Sequence, residues 1–416
     1  MTGRVLLLVP TTSYRIGDFL AAADRLGIDV AVGSNQRQVL EQFSKGRTVT
    51  LDFNNVDKGV AEVIAYNETY PITAIIGVDD ETTLIAARAA KALNLVHNSQ
   101  ESIETARNKY RFRTRLANSG LLAPRFTLQP VEADPIEASV LVNYPVVLKP
   151  LALSASRGVI RANEPSEFVA AFERIKTILN KADIDENATG HILIEDYIPG
   201  DEVALEGLLD GGNLTILALF DKPNPLVGPY FEETLYITPS RLSPCVQKDI
   251  ATAVSRAVAA LGLRHGPIHA ELRINDRGVW LIEVAARSIG GLCSRVLSFG
   301  PNGSLEDLIL KHALGQPNPR PALDCSASGV MMMPIPAAGV LRQVLGLEDA
   351  RALAMIDDVT LSIPLGATLV PLPEGNRYLG FIFASGDTPA AVEATLRDAY
   401  NFLEFVIEAE ENSPTN

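Results

Sequence analysis

Glu271 and Glu283 lie in two segments that alternate polar and apolar residues, HAELRIN (269–275) and VWLIEVAAR (279–287). Between them Asp276-Arg277-Gly278 reads as a three-residue turn, with glycine where a bulged hairpin needs a left-handed residue. If Asn275 pairs with Val279, Glu271 stands directly opposite Glu283. Like charges so opposed destabilise an antiparallel pair, and a divalent cation between them reverses the sign. Arg287 continues the same face, where it could meet an anion held by that cation. The pattern points to a metal–phosphate site. The competing reading is an ordinary hairpin with a solvated polar face. The hairpin alone favours this second reading, since the spacing occurs readily by chance and the turn could shift by one residue.

Other segments carry matching chemistry. Lys149 ends the apolar run Val146-Val147-Leu148 and precedes Pro150; a lysine there is costly unless its ammonium finds an anion. Ser154-Ala155-Ser156-Arg157-Gly158 follows, and the backbone amides of such small residues can wrap phosphate oxygens. A plain surface hairpin loop is the alternative, because the strict P-loop form is missing. In LIEDYIPGDE, Glu195 ends an apolar strand and Glu202 lies beyond the Pro199-Gly200 turn. An extended connector there could offer backbone groups to a purine edge, with Glu195 accepting from an exocyclic amine and Glu202 from ribose hydroxyls. Lys109 adds positive charge from a basic helix, and Lys222, ending LALFDK, is a further candidate. Arg107, Arg111, Arg113 and Arg115 read as a solvated face.

The elements that must position these groups follow from periodicity. Residues 1–100 alternate strands (4–10, 29–34, 72–78) with helices closed by turn residues, a parallel α/β unit of the doubly wound kind. The loop Pro10 to Ser13 and the cluster Asp79-Asp80-Glu81 follow strand C-termini, the ligand edge of such sheets, although helix capping explains the acids equally well. A basic helix fills 101–123, ending near Gly120. Residues 124–196 form a β-rich, lid-sized unit. Strands, a helix at 246–261 and the glutamate hairpin occupy 197–328. A separate small α+β module spans 329–410, and 411–416 reads as a disordered tail.

Bulk composition sets limits. The 416 residues are 47% hydrophobic and 21% charged, ample for several soluble domains. A net charge of −14 leaves no basic surplus for nucleic acid or an anionic membrane. Cys245, Cys293 and Cys325 fit neither a disulfide framework nor a zinc spacing, as expected in a reducing cytoplasm. The apolar run after Arg4 is too short for a signal peptide. No stretch approaches the roughly 20 apolar residues of a membrane span.

The order Lys109, PVVLKP, serine–glycine loop, IEDYIPGDE, HAEL, IEVAAR resembles the ATP-grasp carboxylate–amine ligases over nearly the whole chain. GPYFEETLYITPS (228–240), GPIHAELR (266–273) and EVAARSIGGL (283–292) look like the L-amino acid ligase (dipeptide synthetase) and carnosine-synthase branch. The resemblance implies an α/β and α+β multi-domain chain: an ATP-grasp fold with an N-terminal Rossmann-like pre-ATP-grasp domain and a small C-terminal α+β module. It implies that Lys109 and Lys149 contact ATP phosphates, that Ser154 to Gly158, including Ser156 and Arg157, form the lid loop, and that Glu195 and Ile198 read adenine. By the same likeness Glu202 contacts ribose, Glu271 and Glu283 hold magnesium (manganese could substitute), and Arg287 stabilises the transferred phosphoryl group. Gly290 and Gly291 match the loop against which a substrate carboxyl lies. Glu232, Glu233, Tyr236 and His265 are weaker substrate-pocket candidates. One departure stands out: many such enzymes place Asn two residues after the second metal glutamate, and this chain has Ala285.

The implied reaction is ATP-dependent amide formation between a small-molecule carboxylate and an amine through an acyl phosphate, with release of ADP and phosphate. It needs no nucleophilic side chain, in keeping with the lack of a Cys–His or Ser–His constellation. His269 shares the metal face, yet a structural role is favoured for it, as for His97, His191 and His312. Two rivals remain: an ATP-grasp carboxylase or purine-biosynthesis-type ligase using bicarbonate or formate, and a non-catalytic nucleotide-binding protein. No biotin-carrier segment is present, and Met331-Met332-Met333 reads as a buried strand. The oligomeric state stays open, dimers being common in such enzymes.

Overall fold

The computed structural model describes residues 3–37, 44–181, 190–318, 323 and 326–409; the predicted tail at 411–416 and Cys325 lie outside them. The N-terminal sheet is parallel, ordered Thr48–Thr50, Val30–Ser34, Arg4–Leu8, Ile72–Gly77. Val5 to Leu8 are wholly buried, as strands covered on both faces must be. The helix Ile16–Leu26 stops at Gly27, whose φ of 63° is left-handed and cheap only for glycine.

The single basic helix expected over 101–123 is two helices, Gln100–Arg107 and Lys109–Asn118. Asn108 separates them: its φ of −100° and ψ of 111° are extended, and its side chain accepts from the Arg111 amide, an N-cap that asparagine suits. The break turns Lys109 toward the lid loop, its amide donating to the Leu151 carbonyl at 3.2 Å.

The lid is an antiparallel sheet ordered Phe126–Pro130, His191–Asp196, Val146–Pro150, Ile160–Ala162. The helix Pro165–Lys181 covers it, burying Phe168, Phe172 and Ile175.

An eight-stranded sheet carries the centre, in the order Gly278–Ala285, Gly266–Asn275, Asp201–Asp210, Asn213–Lys222, Leu235–Thr238, Ala327–Met333, Gly380–Gly386, Ile356–Leu361. The C-terminal module is thus not separate, for its strands continue this sheet. Leu235–Thr238 is buried along its length and would leave unpaired backbone groups in the interior without the antiparallel partner Ala327–Met333. Met331 to Met333 are buried within that partner, as expected. A smaller sheet of Thr368–Leu369, Gly339–Leu345 and Glu404–Glu408 belongs to the module alone. Among the described residues no helix is long and apolar enough to cross a membrane.

The glutamate hairpin differs from expectation at its turn. Asn275 pairs with Gly278 rather than Val279, so the turn has two residues, Asp276 and Arg277. Leu272 then faces Leu281, but a bulge at Ile282 shifts the register, and Glu271 faces Glu283 after all. Bulges of this kind re-aim side chains beside functional sites.

Candidate active site

The lid, the central sheet, the N-terminal domain and the C-terminal module enclose a cleft of about 1090 Å³. Every predicted site residue lines it except Gly158, Lys222, Glu232 and His265. His265 instead borders a smaller cavity with His97 and His312, some way along the strand from the cleft. His312 accepts the Gly266 amide at 3.2 Å, which accords with its structural reading.

At the lid end, Lys109 Nζ donates to the Leu153 carbonyl at 2.8 Å. Ser154 to Gly158 join the paired strands Val146–Pro150 and Ile160–Ala162, so the segment is a hairpin loop and also a cleft wall. Ala155 and Ser156 adopt positive φ, 55° and 54°. Gly158 lies behind that wall, its amide donating to the Pro373 carbonyl at 2.9 Å.

Lys149 finds its anion in Glu195, 2.7 Å away. Glu195 also accepts from Arg113 at 2.7 and 3.2 Å, so both its oxygens carry a cation contact. Burial would raise its carboxyl, but Arg113 and Lys149 outweigh that and hold it at about 2. Arg113 is therefore not part of a solvated face; it is 1% exposed. Arg107 also lines the cleft, and burial lowers its pKa.

Glu202 is likewise committed. It takes Lys222 Nζ at 2.9 Å and Arg273 Nε at 2.8 Å, contacts that compete with a ribose. Arg273, buried and unremarked in the sequence, also donates to the Ile198 carbonyl at 2.8 Å and stands over the Tyr197 ring at 5.1 Å.

Lys222 sits behind the cleft wall, bonded to Glu202 and Glu233 and 3.6 Å from Glu271. Burial opposes its charge, yet the three carboxylates keep its pKa well above the ordinary value. One oxygen from each of Glu202, Glu233 and Glu271 lies within 4.8 Å of the others. This all-oxygen donor set fits a hard divalent ion such as magnesium; Glu283, predicted as the second ligand, faces Glu271 across the hairpin and is not one of the three. Burial and the Glu271 charge push Glu233 up to about 7. Tyr236 donates to its Oε2 at 2.7 Å. Ala285, buried opposite His269, offers no ligand.

Arg287 Nε and Nη2 both reach Asp80 Oδ2, at 2.9 and 2.7 Å. Asp80 opens the helix Asp80–Ala92, and the N-cap Asp79 makes no side-chain capping bond, so the acidic cluster serves the cleft at least as much as the helix. Burial penalises the Arg287 charge, but Asp80 and Glu283 raise its pKa.

Sequence similarity agrees with this geometry. Residues 142–296 match the ATP-grasp domain, 20–96 the ATP-grasp N-terminal domain, and 331–408 the L-amino acid ligase C-terminal domain 2. Alanine–anticapsin ligase of Bacillus subtilis is 26% identical over 291 residues, 65% of this chain and 61% of that protein. Dapdiamide A synthase of Enterobacter agglomerans is 27% identical over 240 residues, 56% of this chain and 55% of that protein. The chain thus spans less than two thirds of the length of these relatives. The L-amino acid ligase structure from Bacillus licheniformis superposes with a TM-score of 0.80 at 24% identity, covering 98% of this chain and 99% of that one, a likeness of fold. The chain thus carries an ATP-grasp domain preceded by its N-terminal companion, and its C-terminal residues match the domain named for the L-amino acid ligases.

Proposed function

We propose that this protein is an ATP-dependent carboxylate–amine ligase joining amino-acid-like substrates through an acyl phosphate, with release of ADP and phosphate. The observation that carries the reading is the convergence, in one cleft, of the lid lysines, the carboxylate cluster and the Arg287–Gly291 loop. The curated relatives named as amino-acid ligases support the substrate class.

Lys109 and Lys149 line the cleft beside Ser154 to Arg157 and would meet ATP phosphates there. Glu195 and Arg113 hold Lys149 in place, and Ile198 and Glu202 lie on the connector that would border the nucleoside. Glu271, Glu283 and Glu233 would hold magnesium, which when bound neutralises phosphate charge and orients the γ-phosphoryl group. Arg287, held by Asp80 at the cleft wall, would stabilise charge on the phosphoryl oxygens. Gly290 and Gly291 leave room for the substrate carboxylate, whose attack on the γ-phosphate gives the acyl phosphate. Ser154 to Gly158 close over it, since water would hydrolyse that intermediate. The amine then attacks the carbonyl and phosphate leaves. We place the enzyme in the cytoplasm, where ATP and free amino acids are supplied.

ADP release screened over amino acids singly and in pairs, with a bicarbonate arm, tests the reading. Amino-acid-dependent release with a condensed product by mass spectrometry is expected. A flat response to the panel, or release driven by bicarbonate alone, refutes it. Arg287→Ala is expected to lower kcat by roughly 1000-fold, as loss of a phosphoryl-stabilising arginine does elsewhere.

A further inference from the structure

The loop after Arg287 is held from beneath by buried polar groups that no step above uses. The Ile289 amide donates to both oxygens of Glu206, at 3.1 Å each. Glu206 is 0% exposed, in the middle of the otherwise apolar strand segment Val203–Leu209. Its Oε2 lies 3.1 Å from His269 Nδ1. The other ring nitrogen, Nε2, is 3.4 Å from Glu271 Oε1. Register accounts for the alignment, because His269 pairs directly with Glu206 across neighbouring strands. Hydrogen bonds thus run from the substrate-side loop through Glu206 to His269, and the 3.4 Å contact of His269 with Glu271 carries the connection on to the cation cluster.

A carboxylate in a sheet interior is costly where a leucine would pack freely. Removing one member of such a network leaves the others unpaired. We infer that Glu206 is a positioning residue. Through the Ile289 amide and His269 it fixes the Arg287–Gly291 loop in register with Glu271, so that cation binding and loop order are coupled. What the loop does in catalysis rests on the ligase reading; the linkage does not.

Amide hydrogen exchange of the full chain, read by mass spectrometry, tests the linkage without activity. In the wild type, Mg²⁺ with ADP is expected to slow exchange of the peptide bearing Ile289 at least threefold. Glu206→Ala removes the acceptor; basal exchange there should rise about tenfold, the scale of a hydrogen bond to a charged group, and the slowing should vanish. Glu206→Gln keeps an acceptor and should stay within about threefold of wild type in basal exchange. In the ADP-release assay, Glu206→Ala should raise the carboxylate KM about tenfold and leave the ATP KM within about twofold, with Glu206→Gln restoring most of the loss.

Equal damage in the Ala and Gln variants overturns the inference, as does slowing that persists in Glu206→Ala. Where Glu206→Ala does not fold, His269→Asn replaces it: the slowing must disappear while basal exchange stays near wild type, and persistence overturns the inference. A wild type that releases no ADP with any amino acid refutes the ligase reading instead, and the exchange measurements still decide the linkage.

Discussion

Replacing Arg113 with leucine tests how the nucleotide end of the cleft is held. Arg113 donates to both oxygens of Glu195 and, at 3.0 Å, to the Leu281 carbonyl. It therefore joins the helix Lys109–Asn118, the lid strand His191–Asp196 and the glutamate hairpin. The substitution leaves Glu195 with Lys149 alone and strands a buried carbonyl. Glu195 titrates at about 2 rather than the ordinary 4.5, a displacement worth roughly 3 kcal/mol at about 1.4 kcal/mol per pH unit. Breaking a buried pair by removing one partner costs about 3–5 kcal/mol, in line with that figure. Arg113 supplies the larger share of the charge effect and a carbonyl bond besides, so about 3 kcal/mol is expected. At roughly 2–4 °C per kcal/mol for domains of this size, Tm should fall by about 6–12 °C. The sign with pH is fixed by the depressed carboxyl. Its stabilisation is full above about pH 4.5 and fades as pH falls toward about 2, so a thermal melt at pH 7 reads all of it. ATP affinity by titration calorimetry should weaken at least tenfold as Lys149 loses its setting. A Tm within 2 °C of wild type at pH 7 would refute the reasoning.

Three further expectations concern the cation cluster and the lid. Lys222→Met leaves Glu202, Glu233 and Glu271 facing one another, and should cost about 3–5 kcal/mol. Millimolar Mg²⁺ should then raise the variant's Tm more than the wild type's; equal increments count against the cluster as a cation site. Glu233, raised to about 7, binds its proton more tightly folded than unfolded, so that contribution is full below about pH 4.5 and lost as pH rises through about 7. Metal-free melts of Glu233→Gln should flatten this decline between about pH 5 and pH 8, and an unchanged slope would exclude Glu233 as its source. Glu374 pairs with Arg174 at 2.7 and 2.9 Å, on the segment whose Pro373 carbonyl holds Gly158. Being exposed, that pair adds about 1 kcal/mol at most, so Glu374→Ala should barely move Tm. ADP release without an acceptor amine should nonetheless rise severalfold as the lid loop loosens, and an unaltered leak rate removes the pair from lid closure.

How far the site was legible depended on where each partner lies in the chain. The glutamate pair is local, and its prediction survived an error: the turn is one residue shorter than read, and the bulge at Ile282 restores the facing of Glu271 and Glu283. Lys149 was legible because an ammonium at the end of a buried strand demands an anion, though the pattern did not say that Glu195 would be that anion. Arg113 failed for a different reason. Three arginines crowd the short helix Lys109–Asn118, and which is buried depends on Glu195, 82 residues away. One signal was available: Leu116 lies three residues after Arg113 and is buried on the same face, with Phe112 beside it. Glu206 is equally visible in the sequence as a lone acid in an apolar run. The other misses join domains: Arg287 to Asp80, and Arg15 to Glu306 at 3.3 Å with both side chains buried. Local periodicity assigns charged residues to the surface because most have no distant partner to bury them. Here the surfaces in question are the inner walls of the cleft. The charges that looked solvated are the ones whose pairing depends on the domains being closed together, so any opening of the lid or the N-terminal domain must break them first.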